Sequence, residues 1–351
     1  MKTLLVAVNA KYEHEGLAVW YLKAACRKRG ISAVVGQYSI NDSAERIWSS
    51  IYEQHPDVIA FSCYIWNREQ ILKLISDLKK AKPGCVIIAG GPEVSYEGSE
   101  RDFIGEGADF VIKGEGEGKL PPLLLALKEG GLEAAHELYN DGTSIKDEAE
   151  GYDSPFDSEY LGRIRNRIAY IESSRGCPYR CSYCLSSESR GCVYFPLEQV
   201  EADIEALVAA GARVIKFVDL KRGMPLRAFN VNERHSLEIW NFIRRFSNDP
   251  VTFHFEINPD RLTRPQMENL MSMPAGLVQI EAGIQSVNTR ALKEVSRIMD
   301  VDAAIKNLKT LAGKGNIHVH TDLIAGLPYE GLESFKESFN RVYEIKAHHL
   351  Q

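Results

Sequence analysis

The stretch SSRGCPYRCSYCLSSES, residues 173–189, places Cys177, Cys181 and Cys184 within eight positions of a 351-residue chain that has seven cysteines in all. A β-branched, strand-like run, RIAYIESS (167–174), leads directly into it. Three thiolates on a short loop at the end of a strand are metal-ligand spacing, and the question is which metal. A structural zinc site closes with four ligands, usually from two Cys-x-x-Cys pairs. The spacing here is Cys-x-x-x-Cys-x-x-Cys, and the nearest possible fourth thiol, Cys192, lies eight residues beyond Cys184. A cubane iron–sulfur cluster fits better, because one loop can ligate three irons and leave the fourth open to a small ligand. Zinc on the three cysteines plus Cys192, as a non-catalytic scaffold, stays open as the alternative.

Downstream of the cysteines, strand-like runs recur with helical stretches between them. RVIKFVD (213–219), VTFHFEIN (251–258), GLVQIEAG (276–283) and IHVHTDLIAG (317–326) follow one another at β/α-unit spacing. This pattern predicts a partial (β/α)6 TIM-like barrel, in which chemistry is built on loops at the strand carboxyl ends. The sequence ends at YEIKAHHLQ as a further strand begins, so the barrel is expected to be cut short at its C-terminus. His348 and His349 are read there as solvated.

Upstream, TLLVAVN (3–9), SAVVGQY (32–38), DVIAFSC (57–63), CVIIAGG (85–91) and DFVIKGEG (109–116) alternate with helical patterns. Short buried strands separated by helices predict an α/β fold, here a Rossmann-like doubly wound parallel sheet. Ligands of such sheets bind at the strand carboxyl ends, where AGGPEVS (89–95) and KGEGEG (113–118) gather glycines. No G-x-G-x-x-G opens the first helix, which argues against NAD or FAD. Between the two patterns, residues 140–162 lose apolar periodicity and carry seven acidic residues against one lysine. The expected organisation is a first domain over 1–135, an acidic linker over 136–165 and the barrel over 166–351.

A net charge of −6 and a pI near 5.9 give no basic field, which disfavours nucleic acid as the principal partner. No apolar run approaches bilayer length and no signal-peptide pattern opens the chain, so neither a membrane nor export is expected. The odd, uneven cysteine set is no disulfide framework and predicts a reducing, cytoplasmic setting.

GCPYRCSYC, with the aromatic Tyr183 before its last cysteine, resembles the signature of the radical S-adenosylmethionine (radical SAM) superfamily. The resemblance implies a 4Fe-4S cluster on Cys177, Cys181 and Cys184, whose open iron binds S-adenosylmethionine (SAM). Reductive cleavage of SAM then yields a 5′-deoxyadenosyl radical. It further implies that Tyr183, Asp219 in FVD, Glu256 in FHFEINPD, and Gln285 and Ser286 in IEAGIQS position SAM. The segment LKRGMPLRAFN after Asp219 is longer than the family's usual turn. DLIAGLPYEG (322–331) resembles the turn packed near the adenine.

A Rossmann-like domain ahead of such a barrel resembles the cobalamin-binding (B12) radical SAM class. Carried over by position, Ser62, Tyr64, Gly90, Gly91, Pro92, Glu93, Val94, Gly114 and Glu115 would lie against cobalamin. The Asp-x-His-x-x-Gly pattern of other B12 proteins is absent, and His14 is not assigned as a cobalt ligand. The activity implied is methyl transfer to an unactivated carbon of an unknown small-molecule or peptide substrate, acting anaerobically, with electrons from a flavodoxin or ferredoxin. A radical SAM enzyme without cobalamin, whose first domain binds substrate or partner, is the alternative. No catalytic residue is assigned.

Overall fold

The computed structural model describes residues 1–141, 153–184, 192–218, 220–221, 224–225 and 229–351. Two compact units divide the chain, Met1–Arg163 and Ile164–Gln351.

The first unit builds strands β1 (Thr3–Asn9), β2 (Ala33–Ser39), β3 (Val58–Ser62), β4 (Val86–Gly90) and β5 (Phe110–Ile112), joined by α1 (Leu17–Lys28), α2 (Ala44–Tyr52), α3 (Arg68–Ala81) and α4 (Glu100–Gly105). The sheet order is β2-β1-β3-β4-β5 and every pairing is parallel. All seven residues of β1 are buried, as expected of a central strand covered by helices on both faces. One face packs Val6, Ile59, Phe61 and Ile87 against Ile47 and Ile51 of α2 and Ile71, Leu74 and Leu78 of α3. Ser43 caps α2 by accepting from Arg46 N, a contact of about 1 kcal/mol.

Helix α5 (Leu120–Asp141) is broken at Gly131, whose φ of 71° is non-helical. The first unit extends beyond residue 135. Helix α6 (Ser158–Arg163), inside the stretch read as linker, buries Tyr160 edge-on against Trp20 at 5.4 Å. Asp157 fastens the same segment to Lys23 at 2.8 Å. Glu159 also pairs with Lys23 and Asp153 with Lys28, so in the described part of the stretch these three acidic residues are partners of basic groups on α1, whereas residues 142–152 lie outside the described residues.

The second unit runs β6 (Ile168–Ile171), β7 (Ser174–Arg175), β8 (Val193–Tyr194), α7 (Leu197–Ala209), β9 (Val214–Phe217), β10 (Leu220–Lys221), β11 (Met224–Pro225), α8 (Glu233–Ile243), β12 (Thr252–Glu256), α9 (Arg264–Met271), β13 (Val278–Gln285), α10 (Thr289–Glu294), α11 (Val301–Lys314), β14 (His318–Leu323), α12 (Leu332–Tyr343) and β15 (His349–Leu350). Six strands form one sheet in the order β15-β14-β13-β12-β9-β6, all parallel, the arrangement of a partial β/α barrel. Period-two alternation separates its faces. Phe253 and Phe255 pack on one side with Phe217, Phe229, Phe246 and Trp240. His254 and Glu256 alternate with them, as do Gln279 and Glu281 on β13 and His318, His320 and Asp322 on β14.

His348 and His349 are exposed, as expected, but they are held on the sheet edge rather than in a loose tail. The ring of His348 accepts at Nδ1 from Val319 N at 3.1 Å, and His349 pairs in register with His320. The sixth strand is thus present, although only two residues long.

Candidate active site

The cysteine loop is held from both sides. Upstream, Glu172 and Arg175 form a buried ion pair, with Oε2 accepting from Nε at 2.9 Å and from Nη2 at 2.7 Å. Downstream, β7 and β8 pair antiparallel, Ser174 with Tyr194 and Arg175 with Val193. That ribbon brings Cys192 beside the loop, where its thiol donates to Gly176 O at 3.1 Å. Gly176 has φ 100°, a conformation that favours glycine, and it turns the chain into the cysteines.

Cys177 and Cys181 are buried and Cys184 is half-buried. Burial pushes the Cys177 thiol up to about 11, and the Cys184, Cys192 and Cys181 sulfurs beside it act in the same direction. Such thiols are poor nucleophiles as they stand and become thiolates when a metal takes the place of their protons. The donor set fits an iron–sulfur cluster. Tyr179 packs on Cys177.

Sequence reasoning missed Arg297. Its side chain, 8% exposed, points Nη1 to Cys181 Sγ at 3.9 Å and to Tyr183 Oη at 3.4 Å, while Nη2 donates to Gly283 O. A guanidinium thus ties β13 to the cysteine loop and lays positive charge against a ligand sulfur. A lone arginine 116 residues from its partner leaves no local sequence signal.

Of the residues assigned to SAM, Gln285 is the most informative. It sits at an irregularity where the β13–β14 register shifts, with φ 71°, and it is 1% exposed. Its Oε1 is buried and finds no hydrogen-bond partner among the described residues. A buried orphan acceptor on a strained backbone is costly unless a ligand donor completes it. Glu256 is buried at the carboxyl end of β12, in register with Glu281. Tyr183 is half exposed over the loop.

Ser286 behaves differently. Its hydroxyl donates to Glu330 Oε1 at 2.5 Å and accepts from Asn288 N at 2.9 Å, so it shapes the turn and offers a ligand little but backbone. Asp219 lies outside the described residues, as do residues 222–223 and 226–228 of the segment that follows it.

In the first unit the assigned glycines meet at the carboxyl edge of β3, β4 and β5. Gly91 has φ 107°, and a Cβ there would stand 2.6 Å from Cys63 O, so no other residue fits. Gly90 is different, since its nearest non-neighbour atom would be 3.6 Å away. Ser95 Oγ donates to Gly91 O at 3.0 Å and accepts from Gly114 N at 3.3 Å, joining the two glycine loops. Glu93 is held by Arg68 at 3.2 Å. Val94 turns its side chain fully into the hydrophobic core, and Pro92 is also buried, so at the rim these two present backbone alone. Ser62 is buried at the end of β3 and Glu115 is half-buried beside Gly114.

Tyr64 stacks on Trp66 at 4.3 Å. Tyr12, Ile65, Trp66 and Tyr96 are exposed on the loops after β1, β3 and β4. Apolar surface gathered where strand order reverses is a binding platform for a large planar ligand. The run CYIWN (63–67) carried this signal in the sequence.

The fold and site define a class: a doubly wound domain followed by a parallel β/α barrel with three cysteines at its first strand end. Residues 3–124 match the B12 binding domain family and residues 171–342 match the Radical SAM superfamily. The chain belongs to the radical SAM superfamily, among the members that carry a B12-binding domain.

It is similar to the 2-(S-pantetheinyl)-carbapenam-3-carboxylate methyltransferase of Streptantibioticus cattleyicolor, 25% identical over 84% of this chain and 46% of that protein. It is also similar to the cobalamin-dependent radical SAM methyltransferase TokK of Streptomyces tokunonensis, 26% identical over 84% of this chain and 46% of that protein. The chain spans about half the length of these relatives. The solved structure of the radical SAM methyltransferase TsrM from Kitasatospora setae, with cobalamin and a [4Fe-4S] cluster bound, shares the fold at a TM-score of 0.74. It covers 99% of this chain and 74% of that one, at 16% identity. Among the described residues, no helix is long and apolar enough to cross a membrane.

Proposed function

We propose that the chain is a cobalamin-dependent radical SAM methyltransferase acting on an unactivated carbon of a small-molecule or peptide substrate. The observation that carries the reading is the gathering of the Cys177, Cys181 and Cys184 thiols at the carboxyl end of β6, in a chain that also has a B12-binding domain. When bound, the cluster supplies the electron that cleaves SAM to a 5′-deoxyadenosyl radical, and cobalamin carries the methyl group.

The residues of this chain hold and orient. Cys177, Cys181 and Cys184 leave one iron without a thiolate. Arg297 offsets negative charge at Cys181 and fixes Tyr183 through its phenol oxygen. Gln285 Oε1 accepts from an ammonium or hydroxyl donor of SAM, completing its hydrogen bonding, and the Glu256 carboxylate accepts from ribose hydroxyls. In the first unit, the backbone at Gly90, Gly91 and Gly114 allows close approach, and Trp66 and Tyr64 supply an aromatic rim for the corrin. A flavodoxin or ferredoxin delivers the electron, and the protein works in the reducing cytoplasm.

Two loadings test the reading. Anaerobic reconstitution is expected to give stoichiometric iron and labile sulfide, lost in Cys181→Ala. Titration with hydroxocobalamin is expected to give one cobalt per chain, with a shifted corrin absorbance. Zinc without sulfide would point to a scaffold, and no corrin binding at micromolar concentration would point to a radical SAM enzyme without cobalamin.

A further inference from the structure

Beside Glu256, the barrel sheet carries ionisable side chains that the proposed chemistry does not use. Glu281 on β13 pairs in register with His320 on β14, and His320 pairs with His349 on β15. Asp322 follows two residues later on the same face of β14, because strand side chains alternate. One ligand atom from each of Glu281, His320 and Asp322 lies within 4.8 Å of the other two. The His320 ring lies between the two carboxylates: its Nε2 stands 3.1 Å from Asp322 Oδ1 and its other nitrogen, Nδ1, 3.8 Å from Glu281 Oε2, and one of the two nitrogens would face the ion.

We infer that Glu281, His320 and Asp322 form a binding site for a divalent transition-metal ion, separate from the cysteine loop.

Three points carry this. The first is distance. Ligands each about 2.1 Å from one ion stand roughly 3 to 4 Å apart, and the present set, with one atom from each residue within 4.8 Å of the others, lies close to that spacing. The second is unsatisfied chemistry. His320 Nε2 is buried and within reach of Asp322, yet it makes no aligned hydrogen bond. Two imidazole–carboxylate pairs built for their own sake would be aligned.

The third is support behind the site. His254, 2% exposed, places Nε2 3.3 Å from Glu281 Oε2. Ligating carboxylates in metal sites are held from behind by a second polar group, and His254 stands within reach of Glu281 to do so. Three protein ligands leave coordination positions open, as catalytic rather than structural sites do. One imidazole and two carboxylates suit Mn(II), Fe(II) or Zn(II) and select against soft ions. Glu256 is in register with Glu281, so an ion here would sit one strand from a residue assigned to SAM.

The test uses the full-length, cluster-loaded chain and Mn(II), an ion with little affinity for thiolates. Equilibrium dialysis with elemental analysis is expected to find one Mn(II) per chain, and its electron paramagnetic resonance signal should differ from that of the aqueous ion. Glu281→Gln and Asp322→Asn are each expected to weaken binding by about tenfold or more. His318→Gln, outside the set, should leave it unchanged. Iron and sulfide content and the melting profile report whether each variant is folded. If either fails, His320→Gln replaces it. Absence of bound Mn(II) and Zn(II) in the parent chain up to about 1 mM, the weak limit of functional divalent-ion sites, overturns the inference. So does unchanged affinity in folded variants.

Discussion

Arg297 reaches Cys181: its Nη1 lies 3.9 Å from the sulfur and 3.4 Å from Tyr183 Oη, and the guanidinium is almost fully buried. Positive charge in this position stabilises the reduced form of a cluster held by Cys181. Replacing it by an uncharged side chain, Arg297→Met, should lower the cluster potential by on the order of 50 mV, as Coulomb's law gives for a charge near 10 Å at an effective dielectric of about 20. Arg297→Lys should fall between. Redox titration followed by electron paramagnetic resonance measures the shift, and an unchanged potential in a cluster-loaded Arg297→Met chain would show that the contact has no electrostatic role.

Cys192 sits beside the cluster loop as a hydrogen-bond donor to Gly176 O. Cys192→Ser keeps a donor at that place, so iron and sulfide content should be unchanged and stability altered by less than about 1 kcal/mol. Loss of the cluster in this variant would make Cys192 a ligand and remove the open iron.

The Glu172–Arg175 pair is buried on both sides, at 3% and 9% side-chain exposure. Glu172→Ala takes its carboxylate partner from a buried guanidinium, at a cost of about 3 kcal/mol. It should lower the denaturation midpoint and reduce cluster retention together, as read by urea unfolding and iron analysis. Retained stability would mean that the pair is solvent-screened.

Gly90 and Gly91 separate folding from binding. Gly91→Ala combines φ 107° with a 2.6 Å overlap and should destabilise the first unit by about 3 kcal/mol. Gly90→Ala meets no close atom and should leave thermal stability near that of the parent while weakening corrin binding. Equal effects of the two substitutions on stability would contradict the packing argument.

His235 gives the chain an acid-sensitive element. Burial pushes its pKa down to about 4, against a backbone hydrogen bond to Ser173 that acts the other way. The unfolded chain takes up this proton near pH 6.5 and the folded chain only near 4. Stability is therefore full above pH 6.5 and falls as pH drops from there to 4, by on the order of 2 kcal/mol for this residue. His254 is depressed in the same direction. Urea unfolding at several pH values should show the slope reduced in His235→Gln, and an unaltered slope would assign the effect elsewhere.

Much of this was legible in the sequence. Apolar runs with period two or continuous burial marked the strands of both sheets, and the cysteine spacing marked the loop after β6. What stayed hidden depends on register and distance. Glu281, His320 and Asp322 share one face only because β13 and β14 align, although His-x-His-x-Asp (318–322) carried half of that message. Arg297 is brought to Cys181 by the fold of a whole β/α unit. The acidic stretch read as a linker contains α6 because Tyr160 finds Trp20, a contact that net charge cannot reveal. Val94 followed the glycines in sequence, yet its side chain belongs to the core.

The central claim is tested most directly by SAM turnover in the anaerobically reconstituted full-length chain, given a strong reductant and assayed with and without cobalamin. The expected products are 5′-deoxyadenosine and methionine in the wild-type chain, none in Cys181→Ala, and S-adenosylhomocysteine only when cobalamin is present. No SAM cleavage by a chain shown to hold four irons and four sulfides would contradict it.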